Sequence, residues 1–340
     1  MAFDNLSNYL TAIEAEMKAS MAVSSEEALA PYYGMMFYHL GWADESFSPR
    51  EQKSGKRVRP LLCLLSCEAC GGDWHRALPA AATVELIHNF SLIHDDIEDG
   101  SLERRHRPTV WSIWGQAQAI NAGDGLFAIS RLTLQRLRKR GVPPEQIVLA
   151  FRVVDETCLA LTEGQYLDLS FEAQDAVSVE MYMQMIGNKT ASLIGCATQL
   201  GSLLGTADRE TVEQYRIFGH QLGLAFQVID DILGIWGEEK TTGKGVGEDI
   251  VNKKKSLPVV YALQKGDREL REIYSQESIA PREVQMVIEK LDSLGAREYA
   301  RQTATQHRQL ALAALEKADI QNRAQDKLQE LALFLVEREY

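Results

Sequence analysis

Two clusters of aspartates stand out as residues that could do chemistry. The first is His94-Asp95-Asp96-Ile97-Glu98-Asp99, which closes the apolar run Leu86-Ile87-His88-Asn89-Phe90-Ser91-Leu92-Ile93. Asp95 and Asp99 are four apart and so share a helix face, with Asp96 one step round. The second is Asp230-Asp231, which closes the run QLGLAFQVID. Carboxylates this close repel one another unless water or cations hold them. Several hard oxygens with room for water and phosphate are the protein side of a magnesium site. A single such cluster is as consistent with a solvated helix end. Two of them, each at the polar end of an apolar helix, could face one another in a bundle and hold cations there.

Basic residues complete the pattern. Lys56, Arg57 and Arg59 lie upstream, Glu103-Arg104-Arg105-His106-Arg107 follows the first cluster, Lys189-Thr190 interrupts a helical stretch, and Lys244 and Lys253-Lys254-Lys255 follow the second cluster. Arginine offers phosphate a fixed fork of donors and lysine a point charge. Carboxylates reach phosphate only through metal, so acidic and basic groups together suit a polyanion. Fixed cations stabilise the charge that develops on a departing diphosphate. The apolar helix before Asp95 implies an apolar pocket under a polar mouth, suited to an amphiphilic substrate. No Ser-His-Asp or Cys-His pattern suggests a covalent catalyst. The glycine-rich GEEKTTGKG is not a P-loop: Gly237 and Gly243 are one residue too far apart, Gly245 follows Lys244, and a helix precedes it.

The elements that must position these groups are helical. Leu6, Leu10, Ile13 and Met17 form one stripe in residues 3–19, and helical periodicity continues over 26–40, 58–70, 77–99, 109–139, 144–171, 177–204 and 208–235. Residues 235–257 read as a polar loop, and 268–340 as three further helices. The expectation is an all-α chain forming a single domain over 1–340, an antiparallel helical bundle with a central cavity, 1–50 being N-terminal helices and 235–257 an active-site loop. The 340 residues carry a formal net charge of -12, which argues against a nucleic-acid surface. No apolar run has the length of about 18 residues that a membrane span needs, and no signal peptide is visible. The five cysteines point to a reducing compartment and a cytoplasmic location; Cys63, Cys67 and Cys70 read as buried thiols rather than metal ligands.

In GKRVRP at 55–60, ELIHNFSLIHDDIEDGSLERR at 85–105, GQYLDL at 164–169, KTA at 189–191, FQVIDDILG at 226–234, TGKGVGEDI and KKKSLPVVYAL, the chain resembles the trans-isoprenyl diphosphate synthase (polyprenyl synthetase) family, geranylgeranyl diphosphate synthases in particular. The likeness runs from about residue 40 to about 335, and the order and spacing of the pieces make it specific. It implies the isoprenoid synthase bundle, a homodimer, and head-to-tail condensation of an allylic diphosphate with isopentenyl diphosphate. By position, Asp95, Asp96 and Asp99 would hold magnesium on the allylic diphosphate, and Asp230 and Asp231 a third ion, with Mn2+ able to substitute. The resemblance gives Arg104, Lys189, Lys244 and Lys254 to the allylic diphosphate, and Lys56, Arg59, His88 and Arg105 to isopentenyl diphosphate. It sets Thr190 and Gln227 near the developing cation. The family's second motif commonly ends in a third aspartate, where this chain has Gly234; Glu238 or Asp249 could help organise water around the ion.

Product length should be set along the helix that ends at Asp95, where Phe90, Ser91 and Ile87 lie one and two turns earlier. In the family two aromatics at five and four before the motif favour C15, one aromatic followed by a small residue goes with C20, and small residues at both go with longer chains. Phe90-Ser91 therefore predicts C20, with C15 and C25 or longer as the alternatives. Met181, Met185 and Phe151 on other helices could override it. A class I terpene cyclase would replace the second cluster and lack Lys56, Arg59 and Arg105; a non-catalytic partner subunit would lose an aspartate motif; a helical metal-phosphohydrolase is the remaining reading.

Overall fold

The computed structural model describes residues 6–22, 26–50, 55, 57–172, 174, 176–237, 247–276 and 278–336. The described residues are all-α apart from an isolated antiparallel bridge between Ala43 and Pro49 and a two-stranded hairpin, β1 (Glu103–Arg104) paired antiparallel with β2 (Arg107–Pro108). The chain divides into two compact units, the first formed by 1–154 and 197–209 and the second by 155–196 and 210–340.

The first unit begins with α1 (Ser7–Met21), whose predicted stripe buries Leu6, Ile13 and Met17. After α2 (Ala30–Leu40) and α3 (Val58–Ala69) comes α4 (Leu78–Glu98), opened by Pro79 in its first turn and buried along Ala80, Ala81, Val84, Leu86 and Ile87. The helix expected over 109–139 is interrupted. Gly115, at φ 83°, takes a left-handed conformation that splits it into α5 (Val110–Trp114) and α6 (Gln116–Gln135), with a 3-10 turn at Arg136–Arg140. Of the three cysteines expected to be buried, Cys63 and Cys67 are and Cys70 is half-buried at the C-terminal end of α3; all five cysteines are free thiols.

The helix α7 (Pro144–Glu172) has residues in both units. From the second unit α8 (Val179–Ile186) passes through a π turn, Gly187–Ala191, into α9 (Ser192–Gly205), whose residues from Ala197 on belong to the first unit, so the stretch expected as helical over 177–204 is continuous with a π insertion at Lys189-Thr190. Next is α10 (Arg209–Trp236), buried along Phe218, Leu222, Ala225, Val228, Ile229 and Ile232. A short helix at Glu248–Val251 and one at Leu257–Gln264 follow, then four more at Arg268–Ser275, Pro281–Ser293, Ala296–Lys317 and Arg323–Val336, one more than expected because Gly295 parts the third-last from its neighbour. Ile235, Ile250, Val259, Leu270, Val287 and Leu291 form their shared core. Among the described residues no helix is long and apolar enough to cross a membrane.

Candidate active site

In the first unit, α4 carries the first aspartate cluster to its C-terminal end, where the Asp99 amide donates to Asp95 O at 2.9 Å. Asp95 is half-buried, Asp99 exposed, and Asp96 only 1% exposed. The hairpin follows at once and brings Arg104 back onto the cluster. Its Nε donates to Asp96 Oδ1 at 2.6 Å and its Nη2 to Asp95 Oδ2 at 3.2 Å, so one fork orients two carboxylates. The turn of the hairpin is Arg105-His106, both left-handed at φ 54° and 59°. This conformation suits glycine or asparagine, and an L side chain there costs roughly 1–2 kcal/mol per residue. Such strain persists where the side chains are used. Arg107 anchors the hairpin: its Nη1 and Nη2 donate to Tyr38 O at 3.1 Å and Ala43 O at 3.2 Å, and its guanidinium stacks 3.9 Å over the Tyr38 ring.

A cavity of about 80 Å³ opens here, lined by His39, Asp96, Arg104, Arg105 and Arg107 among others. Burial and then the guanidinium groups of Arg104, Arg105, Arg107 and Arg57 push the His39 imidazole down to about 3, so His39 is neutral amid cations. His88 is likewise held well below its ordinary value by burial and by Arg59, whose Nη1 lies 3.4 Å from His88 Nε2. Arg57 is spent on structure, paired with Glu85 at 2.7 Å and Glu14 at 3.2 Å. Four residues given to the second substrate were Lys56, Arg59, His88 and Arg105; Lys56 lies outside the described residues, and the others are in this unit.

Asp96 is the unusual member of the cluster. Burial raises its carboxyl to about 6 despite Arg104, and its Oδ2 has no hydrogen-bond partner among the described residues. A buried acceptor left this way is costly unless something satisfies it. Hard carboxylate oxygens with one unmet acceptor fit a magnesium ion. Among the described residues no three ligating side chains form a ready-made cage. Magnesium does not require one, since it keeps several waters and takes one or two carboxylates plus phosphate oxygens.

Phe90 is half-buried and meets Phe127 of α6 edge-on, ring centroids 5.2 Å apart. Ile87 is fully buried, and the Ser91 hydroxyl donates to His88 O at 2.8 Å. Phe151 is engaged by Arg131, which stacks 4.6 Å over its ring. Met185 is buried and Met181 partly exposed on α8 in the second unit.

In the second unit the π turn turns out Lys189 and Thr190. Lys189 Nζ pairs with Asp168 Oδ2 at 2.5 Å, and Thr190 Oγ1 donates to Gln227 Oε1 at 2.8 Å. Gly164 of the GQYLDL piece lies under this turn: a Cβ there would come within 2.7 Å of Lys189 Cα, so glycine is what admits the approach. Insertions of this kind in a helix are frequent at functional positions. Gln227 Nε2 in turn donates to Asp231 Oδ1 at 3.1 Å. Asp231 Oδ2 accepts from the Tyr182 hydroxyl and from the Leu257 amide at 3.0 Å. Asp231 thereby caps the helix Leu257–Gln264, whose N-cap Ser256 makes no side-chain cap. Burial lifts Asp231 to about 6, whereas Asp230 is half-buried.

The three consecutive lysines have separate fates. Lys253 Nζ donates to Gln276 O, and Lys255 Nζ to Phe171 O at 2.5 Å and to Gln174 O. Lys254 keeps an exposed side chain; burial of its surroundings pushes its pKa down, and the negative charges of Asp249, Asp231 and Asp168 together outweigh that and raise it. Two of the three lysines are thus engaged with backbone carbonyls, and the side chain of Lys254 is the exposed one. Lys244 and Glu238 lie outside the described residues. Sequence reasoning did not single out His39, Asp168 or Tyr182. Asp168 had a signal, since it follows the glycine of GQYLDL by one helical turn; His39 had none.

The family model for polyprenyl synthetase matches residues 42–291. The geranylgeranyl diphosphate synthase of Mycobacterium tuberculosis (strain ATCC 25618 / H37Rv) is 41% identical over 297 residues, covering 86% of this chain and 84% of that protein. The (2E,6E)-farnesyl diphosphate synthase of the same strain is 36% identical over 309 residues, covering 89% and 85%. Among solved structures, a polyprenyl synthetase from Streptomyces coelicolor A3(2) superposes with a TM-score of 0.89 at 37% identity, covering 97% of this chain and 98% of that one.

Proposed function

The chain belongs to the polyprenyl synthetase family of trans-prenyltransferases, and from that premise we propose that it makes the C20 product, geranylgeranyl diphosphate, in a magnesium-dependent reaction. The observation that carries a two-substrate synthase is the crowd of guanidinium groups beside one aspartate cluster: Arg104 spans Asp95 and Asp96, while Arg105 and Arg59 flank His39 and His88. One anionic substrate would not need so many fixed cations.

The roles follow the family resemblance. Arg104, Lys189, Lys244 and Lys254 bind the allylic diphosphate; Lys56, Arg59, His88 and Arg105 bind isopentenyl diphosphate. Asp95, Asp96, Asp99, Asp230 and Asp231 would hold magnesium; Asp230 is the more exposed of its pair, and Asp231 also accepts from Gln227, Tyr182 and Leu257. Magnesium held by these carboxylates would neutralise diphosphate and stabilise the charge that grows on it as it leaves. As the C1–O bond of the allylic substrate breaks, both bonding electrons leave with diphosphate. Thr190 and Gln227, fixed to one another and to Asp231, present oxygen dipoles to the resulting allylic cation. The double bond of isopentenyl diphosphate supplies the electron pair for the new carbon–carbon bond to C1. Loss of a proton to the released diphosphate restores a double bond, so no side-chain base is required.

The relatives carry both farnesyl and geranylgeranyl names, and Phe90-Ser91 supports the longer product. Phe90 braced by Phe127 makes a firmer floor than a lone ring, because a tail must displace two rings to pass. Phe90→Ala is expected to shift the main product from C20 to C25 or longer; an unchanged product distribution rejects the floor. The activity is tested with labelled isopentenyl diphosphate, magnesium and dimethylallyl, geranyl or farnesyl diphosphate in turn, reading the length of the dephosphorylated product. Absence of elongation with every primer would overturn the synthase reading.

We propose a cytoplasmic homodimer acting as one synthase domain. Val148, Leu159 and Tyr166 are 68%, 61% and 71% exposed and fall on one stripe of α7, and an apolar stripe of that kind favours covering by a second copy. The five free thiols fit a reducing compartment.

A further inference from the structure

Gly123 sits in the middle of α6, and it is buried there. Glycine is among the weakest helix formers, so a place in a helix interior calls for a packing reason. A Cβ built on Gly123 would overlap the His94 ring at Nε2 and Cδ2. The imidazole of His94, reaching across from α4, therefore occupies the space that a side chain at 123 would take. Its Nε2 donates to Ile120 O at 3.4 Å, one turn before Gly123, and lies 3.7 Å from Asp124 Oδ1.

His94 stands one turn after Phe90 on α4, and the two rings meet edge to face, centroids 5.9 Å apart and planes at 85°. Phe127 stands one turn after Gly123 on α6 and meets the same Phe90 ring at 5.2 Å and 65°. His94 thus faces Gly123 as Phe90 faces Phe127, the one-turn pairing of two antiparallel helices within the first unit. Phe90 is braced on two sides, by Phe127 across from it and by His94 on the side of Asp95. The second brace is itself fixed, because the imidazole is lodged in the notch that glycine leaves.

We propose that His94 is a positioning residue for product length: lodged at Gly123, it holds the Phe90 ring across the path of the growing tail. The inference rests on the reading of Phe90 as the floor and deepens it. A lone phenylalanine can pass between staggered χ1 wells, and the floor then opens for no more than a rotamer change. Between His94 and Phe127, Phe90 cannot turn without displacing a second ring.

The test reads the length of the dephosphorylated products made from geranyl diphosphate, labelled isopentenyl diphosphate and magnesium, with thermal melts to verify folding. Gly123→Ala puts a methyl where the imidazole lies and leaves Phe90, Phe127 and every carboxylate in the chain. It is expected to raise the proportion of products longer than the wild-type limit about tenfold, the size of one rotamer penalty. His94→Ala removes the brace directly and should raise that proportion to the same degree. KM for isopentenyl diphosphate should stay near the wild-type value in Gly123→Ala, whereas a general loosening of the site would raise it. Adding Gly123→Ala to Phe90→Ala should lengthen products no further than Phe90→Ala does, since both act through one ring. When Phe90→Ala lengthens the product, the inference alone is overturned by a wild-type distribution in folded Gly123→Ala or His94→Ala, by a raised KM in Gly123→Ala, or by further lengthening in the double variant. An unchanged distribution in Phe90→Ala overturns the floor, and the inference with it.

Discussion

Replacing Asp96 with asparagine is expected to lower kcat/KM by about a thousandfold while leaving the metal-free protein folded and more stable at pH 7. The two effects have one origin. Burial raises the Asp96 carboxyl from 3.8 to about 6. Between those values the folded chain holds a proton that the unfolded chain has released, so acid favours the fold. The penalty of the buried charge is fully present above pH 6 and gone below about pH 4. Asparagine is neutral throughout and still accepts from Arg104 Nε. Its advantage in stability should reach up to about 3 kcal/mol above pH 6 and vanish near pH 4. Thermal melts of both proteins from pH 4 to 8 measure this, and a stability difference independent of pH would reject the burial account. Turnover close to wild type would reject the role in metal binding.

The same shift makes protons compete with magnesium. As pH falls through 6, Asp96 takes a proton in place of the cation, so the magnesium concentration needed for half-maximal activity should rise. A site that pays for an unsatisfied buried carboxylate in the resting state regains that energy when a cation arrives.

These features differ in how far sequence discloses them. Asp95 and Asp99 are legible because helical spacing alone puts residues four apart on one face. The α4 and α10 runs are legible for the same reason. The hairpin that carries Arg104 is not, since two-residue strands leave no alternation to read. Its turn breaks the local preference for glycine or asparagine, and Arg105-His106 gives no turn signal. Gly115 sits within a helical pattern with no neighbouring turn residue, and its positive φ becomes visible only in the structure. The π turn left a faint mark, because Lys189-Thr190 interrupts an apolar stretch. Gly234 read as a missing ligand, while in space it is the gap that Asp249 fills. A contact made by an absent side chain with a residue on another element has no sequence period. Asp231 was legible as a charge but not as a cap, because the helix it caps begins 26 residues later.

That second role of Asp231 leads to an expected separation between two substitutions. Asp231→Ala should lower kcat/KM to the same degree as Asp96→Asn and also destabilise the fold by about 3 kcal/mol, a fall in Tm of about 5 °C. Tyr182 is 1% exposed and Leu257 0%, so alanine strands a hydroxyl and a helix-initiating amide without an acceptor or access to water. Gln227 loses its acceptor as well, and with it the tether that fixes Thr190. Asp231→Asn keeps one oxygen for the Leu257 amide but turns the other into a donor, which cannot accept from Gln227. Its loss of turnover should match that of alanine with a smaller loss of stability. Tyr182→Phe isolates the fastening role. It removes one donor from Asp231 and leaves the carboxylate in place, so Tm should fall while KM for geranyl diphosphate stays near wild type. Equal melting temperatures for wild type and Asp231→Ala would show that Asp231 serves the substrate alone. A large rise in KM for Tyr182→Phe would show that fastening and binding are one function, because the position of the carboxylate then depends on the hydroxyl that holds it.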